Sequence, residues 1–378
     1  MSGFAIQGWC PGALRPMLSG DGLVVRLRPP GGRLSPPQAR AIAAAATAHG
    51  NGLIDLSARG NLQMRGVTEA GHPALIADLR ALDLIDANPQ AEAARNLLVT
   101  PFADARTEVL AETLTRALIA GPVLPGKFGL VLDTGPAPLM QEIAGDIRLE
   151  RAASGGLLLR CDGLALGAPV SAADAPALAM RLVEWFLAAG GVQDGRGRMA
   201  ALIASGARPD GALSPSTPPA PAQPAPGPGL HPQGALIGFE FGQLTAAMLA
   251  RLADLGPLRL TPWRMLLVEG LANLPALPGL ILHPDDPLRR VEACPGAPAC
   301  LQGRAATRPL ARRLAGQVPP GLSLHVSGCA KGCAHPGPAD LVLVAGDRGF
   351  DLIRHGRAGD APQRRDLSAT DLDLKGLF

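Results

Sequence analysis

Apolar and polar positions alternate along Leu23-Val-Val-Arg-Leu-Arg28, which predicts a strand. A Pro-Pro-Gly-Gly loop follows it. Ser35 then stands as a cap before the apolar-periodic run Pro36–His49, a helix with proline in its first turn. Gly50-Asn51-Gly52 stops that helix. Two more short strands, Leu53–Leu56 and Leu62–Arg65, flank a polar corner, Ser57-Ala58-Arg59-Gly60-Asn61.

The same pattern returns in the second half. Ala235–Phe241 reads as a strand, Ala246–Leu255 as a helix and Leu258–Val268 as a second strand-corner-strand. In this register Leu56-Ser57 falls on Leu260-Thr261, and Leu62 falls on Leu266. Two copies of one unit predict half-domains related by a pseudo-twofold axis.

Between the copies, short apolar runs at 95–100, 129–132, 147–150, 156–160 and 164–165 predict strands of an α/β domain. Ala172–Ala189 predicts its helix, with Ser171 as cap. Gly195-Arg-Gly-Arg-Met-Ala200 imitates a dinucleotide fingerprint but follows a helix, so no nicotinamide site is expected there. Residues 214–229 are so rich in proline that they predict an extended, semi-rigid linker. Beyond the second half-domain, strands at 322–326, 339–344 and 350–353 and a helix at 307–314 predict a second α/β domain. The expected division is 1–80, 90–210, a linker at 211–230, 231–275 and 280–378. The fold class is α+β.

Composition narrows the function. The net charge of +3 over 378 residues gives no reason to expect nucleic acid, and with no Tyr and three Trp stacking platforms are scarce. No apolar run is long enough for a membrane span. The first ten residues lack a basic region and a long apolar core, so no signal peptide is expected and the chain reads as cytoplasmic.

Four of the six cysteines lie close together in sequence: Cys294 and Cys300 as C-x5-C, then Cys329 and Cys333 as C-x3-C. Thiolates are soft ligands that suit zinc or an iron–sulfur cluster. Zinc knuckles usually use C-x2-C, and disulfides suit an oxidising compartment. A [4Fe–4S] cluster is therefore expected. Gly296, Gly328 and Gly332 let the backbone wrap such a centre. Cys10 and Cys161 are expected to be inert thiols.

The two cysteine pairs resemble those of the nitrite/sulfite reductase superfamily. Ser327-Gly-Cys-Ala-Lys-Gly-Cys-Ala-His-Pro336 is closer still to its precorrin-3B synthase branch, as are Cys10-Pro-Gly12, Arg15-Pro-Met17 and Ser19–Leu23. The resemblance implies a pseudo-twofold architecture of two ferredoxin-like half-domains plus two α/β domains. It also implies O2-dependent hydroxylation of precorrin-3A with lactone formation, as a step of aerobic cobalamin biosynthesis. The cofactors would be the [4Fe–4S] cluster and a mononuclear non-haem iron, supplied with NADH-derived electrons by an external donor.

The resemblance also proposes residues. Tetrapyrrole carboxylates would meet Arg59, Asn61, Arg65, Arg95 and Lys127, since basic forks pair well with carboxylates. Arg264, at the second corner, is a further basic candidate. Gly126 and Gly129 stand where the reductases carry basic residues facing sirohaem, and Gly60 replaces a glutamine. That disfavours the alternative of a sirohaem-dependent nitrite or sulfite reductase. A non-enzymatic tetrapyrrole carrier is the other alternative. No His-x-Asp/Glu pair marks the non-haem iron. His335 is placed at the oxygen-activating centre and Lys331 beside the cluster, both as catalytic candidates, with His325 a further histidine on the strand leading to the cluster.

Overall fold

The computed structural model describes residues 11–378. Cys10 therefore lies outside the described residues. The predicted helix forms at Pro36–His49, and the Ser35 hydroxyl and the Gln38 side chain cap each other's backbone N–H groups in a reciprocal box.

The two repeats are interlocked. The first sheet runs, in order, through Met17–Ser19, Gly22–Leu27, Leu62–Val67 and Leu53–Leu56. Its last strand, Gln243–Thr245, comes from the second repeat. The second sheet mirrors this with Gly229–His231, Gly234–Phe239, Met265–Glu269 and Leu258–Leu260, closed by Arg33–Leu34 of the first repeat. Each repeat thus lends a short edge strand to the other, which covers the strand that would otherwise end each sheet. Helices Pro36–His49 and Ala246–Ala253 pack together, and one apolar core runs through both sheets.

The two flanking sheets share a strand order as well. In the first, Leu97–Val99, Leu130–Asp133 and Ile147–Arg151 are parallel, then Leu157–Cys161 and Ala168–Val170 turn antiparallel. In the second, Val291–Ala293, Leu324–Ser327 and Ala339–Ala345 are parallel, then Phe350–Gly356 and Arg364–Leu367 turn antiparallel.

Several local expectations shift. The strand expected at 164–165 is a turn, and the edge strand lies at Ala168–Val170. The helix expected from Ala172 begins at Ala175, with Asp174 at its cap. Ser171 instead binds the Asp174 side chain and backbone and forms a turn of its own. Further helices lie at His72–Arg80, Pro89–Ala94, Ala105–Ala120, Met199–Ala204 and Arg308–Leu314, the last within the expected 307–314. The proline-rich segment runs extended and is fastened to the first flanking sheet: Ala220 N–H donates to Arg151 O, and Thr217 N–H donates to Gly167 O. Among the described residues no helix is long and apolar enough to cross a membrane.

Candidate functional site

The four cysteines come together because the second flanking sheet puts two of its parallel strand ends side by side. Cys294 follows Val291–Ala293, and Cys329 follows the neighbouring strand Leu324–Ser327. The loop carrying Cys300 folds back through Ala297 N–H to Ala305 O at 2.9 Å, and Arg304 N–H ties it to Gly328 O at 2.9 Å. Gly328 N–H donates to Cys294 Sγ at 3.1 Å, a contact of the kind that tunes sulfur ligands.

Glycine is required at this crossing. A Cβ on Gly328 would stand 3.1 Å from Gly296 Cα and 3.3 Å from Gly303 Cα. A Cβ on Gly303 would stand 2.6 Å from Ala297 N.

The thiols sense one another. Burial raises the pKa of Cys329, and so does the charge of Cys300 and Cys294; the Lys331 N–H and ammonium oppose this. Burial likewise raises Cys333, with Lys331 opposing and the other three cysteines adding to the rise. Four soft sulfur donors on neighbouring loops are a set that fits an iron–sulfur cluster. Among the described residues no three His, Cys, Asp or Glu side chains stand close enough to hold a single metal ion.

Lys331 is exposed beside these sulfurs. His335 turns its Nε2 to Pro338 O at 3.0 Å. Its ring stands edge-on to that of His325, with centroids 5.8 Å apart. His325 is fully buried, and among the described residues neither ring nitrogen has a hydrogen-bond partner. Burial, then the neighbouring His335 and Arg264, lower its pKa to about 4. It is therefore a neutral imidazole at ordinary pH. As placed, the two histidines lack a third donor for a mononuclear iron among the described residues.

The basic candidates divide into two groups. Arg59, Asn61 and Arg95 line one cleft between the first half-domain and the first flanking sheet, together with Arg28 and Asn96. Ser57 Oγ accepts from Arg59 N–H and Asn61 N–H, which fixes the corner. Arg59 donates to Asn96 Oδ1 at 3.2 Å and lies across Gly129, where a Cβ would stand 2.4 Å from its Nη2. Gly129 is thus the space that Arg59 fills. Arg95 is held by Asp86 at 2.8 Å and by the Arg28 carbonyl.

Arg65 does not line this cleft. It is buried, pairs with Asp21 at 2.7 Å and donates to Ala299 O at 2.8 Å, beside Cys300. Lys127 is exposed in the loop before Leu130–Asp133. Sequence reasoning missed Arg28, whose only signal was its position at the end of an alternating strand. It also missed the contacts of Arg264, which no local pattern announces.

Comparison with known proteins agrees with this geometry. Residues 15–82 match the family model of the nitrite/sulfite reductase ferredoxin-like half domain. The solved structure of the Mycobacterium tuberculosis NirA protein superposes with a TM-score of 0.64, at 20% identity, over 93% of this chain and 78% of that one. The interlocked half-domains with two flanking sheets are the nitrite/sulfite reductase-like fold.

Within that class, the chain is 31% identical to precorrin-3B synthase of a Sinorhizobium species, over 94% of this chain and 84% of that protein. It belongs to the precorrin-3B synthase family. A 96-residue stretch is also 34% identical to the nitrite reductase [NAD(P)H] large subunit of Klebsiella oxytoca, covering 10% of that protein.

Proposed function

We propose that this chain hydroxylates precorrin-3A at the C20 meso carbon with O2 and closes a lactone from the ring A acetate. The observation that carries the reading is the likeness to a precorrin-3B synthase over nearly the whole chain. Cys294, Cys300, Cys329 and Cys333 would hold a [4Fe–4S] cluster. Their convergence supports the assignment: Cys294 and Cys329 follow adjacent parallel strands, and Gly328 N–H donates to Cys294 Sγ. When bound, the cluster supplies single electrons taken from an external, NADH-fed donor.

The protein's own part is orientation. Arg59, Asn61 and Arg95 line one cleft where the substrate's carboxylates would be met, Arg95 by exchanging its bond to Asp86, and Lys127 stands exposed on the loop before Leu130–Asp133. His335 is the proposed side chain at the oxygen-activating centre, as donor to a second, non-haem iron or to oxygen itself. The unpartnered His325 ring beside it supports a polar ligand in that position. His335→Ala should keep the cluster and lose hydroxylation; wild-type turnover in that variant ends the assignment.

The deciding experiment is turnover of precorrin-3A with oxygen uptake, run beside iron, sulfide and visible-spectrum analysis of the purified chain. A Soret band with stoichiometric sirohaem and no turnover would favour a reductase instead.

A further inference from the structure

The two corners of the repeat have the same backbone. Ser57 Oγ accepts from residues 59 and 61; Thr261 Oγ1 accepts from Trp263 N–H and Met265 N–H in the same way. The fourth position is left-handed in both: Gly60 at φ 60° and Arg264 at φ 57°. Glycine takes that conformation freely, while a side chain there is strained. The second corner carries the strain with one of the longest side chains.

The neighbourhood is shaped around that arginine. Gly242 is also left-handed, at φ 67°, and a Cβ on it would stand 2.8 Å from Arg264 Cβ and 2.9 Å from Cδ. Arg264 reaches out of its own half-domain into the cysteine domain. One arm pairs with Glu292 Oε2 at 2.7 Å, two residues before Cys294. The other donates to Ala334 O at 2.7 Å, directly after Cys333. One guanidinium thus joins the start of the first cysteine segment to the end of the second. Arg65 of the first repeat does the same for the middle, through Ala299 O beside Cys300.

We infer that Arg264 is a positioning residue that clamps the two cysteine segments in the geometry the cluster needs. Its planar fork suits the task, because two donors leave it in fixed relative directions; a lysine offers one charged point. The inference rests on the cluster reading given above.

The test uses the full chain, reconstituted anaerobically, as wild type, Arg264→Gly, Arg264→Ala, Arg264→Lys and Glu292→Gln. Cluster iron lost to an iron chelator, the cluster's midpoint potential and its electron paramagnetic resonance signal are measured, with apoprotein melting as control. Loss to chelator should rise about ten-fold in Arg264→Gly and Arg264→Ala, the effect of one charge-assisted contact. It should rise less in Arg264→Lys and Glu292→Gln, and the potential should move in the same order.

Arg264→Gly should melt no lower than Arg264→Ala, because glycine relieves the backbone. That separates clamp from fold. A folded Arg264→Gly chain that takes up no cluster also supports the inference. If Arg264→Ala fails to fold, the lysine and Glu292→Gln variants carry the test alone. Wild-type loss rates and potential in Arg264→Gly overturn the inference. A wild-type chain without iron and sulfide overturns the cluster reading, and this inference with it.

Discussion

The two flanking sheets have one strand order and two different loops. In the second, the strand Leu324–Ser327 ends in Cys329 and Cys333. In the first, the corresponding strand Leu130–Asp133 ends in Asp133, whose carboxylate accepts Leu139 N–H at 2.7 Å and Met140 N–H at 2.8 Å. Arg148 then donates to Met140 O at 3.0 Å and closes the loop. One loop is held by hydrogen bonds within the protein. The other is also tied by backbone hydrogen bonds, but its close-packed glycines bring four cysteines to one end of the sheet. The first loop turns most of its polar groups on the protein itself, whereas the second gathers soft donors that suit a bound centre.

The comparison is broken most severely at the cysteines. Cys294→Ser, Cys300→Ser, Cys329→Ser and Cys333→Ser should each remove or badly degrade the cluster, since serine is a harder, poorer ligand. Iron, sulfide and visible absorbance measure this. Full cluster content in any one variant would strike that cysteine from the ligand set.

Next come the cations of the cleft. Arg59→Ala, Arg95→Ala and Lys127→Ala should weaken precorrin-3A binding with the cluster intact. Loss of a charged hydrogen-bond partner costs about 1.5–3 kcal/mol, roughly ten- to a hundredfold in affinity. Unchanged binding in all three would remove the cleft from the substrate site.

Gly129→Ala should act in the same direction but less. Its methyl group enters the space of the Arg59 guanidinium, which must move. Equal binding by wild type and Gly129→Ala would show that Arg59 is free to reposition at no cost.

The smallest effect is in the ligand-free loop. Burial raises the pKa of Asp133 from its ordinary value, and among the described residues one of its oxygens has no partner. The folded chain therefore holds this proton more tightly than the unfolded one. The resulting stability is full below the ordinary range and is lost as pH rises through the raised value. Asp133→Asn has no such proton. Its melting temperature relative to wild type should improve from pH 4 to pH 7, and a difference constant with pH would refute the account.

Much of this was legible in the chain. The Pro36–His49 helix carried its own cap and stop, and the strand-corner-strand pattern repeated with matching apolar positions. Cysteine spacing proposed a donor set, because ligand chemistry depends on residue type and local reach. Arg59, Asn61 and Arg95 are proposed by the family resemblance, and the structure brings them to one cleft. Helices such as Ala105–Ala120 were passed over, and the start of Ala175–Ala188 was misplaced, because competing side-chain bonds such as Ser171 to Asp174 settle helix ends.

Tertiary structure alone decided the rest. The exchange of edge strands between repeats joins residues some two hundred positions apart, such as Leu258 and Leu34. Arg65 reads like its basic neighbours in sequence, yet it is turned to Asp21 and Ala299 O. Arg264 stands where the first repeat has glycine, and only the packing of the half-domain on the cysteine sheet shows what its side chain holds. Local patterns reflect backbone preferences and ligand chemistry, which act over a few residues. The partner of a long charged side chain is set by how whole sheets dock, and no stretch of sequence around it contains that information.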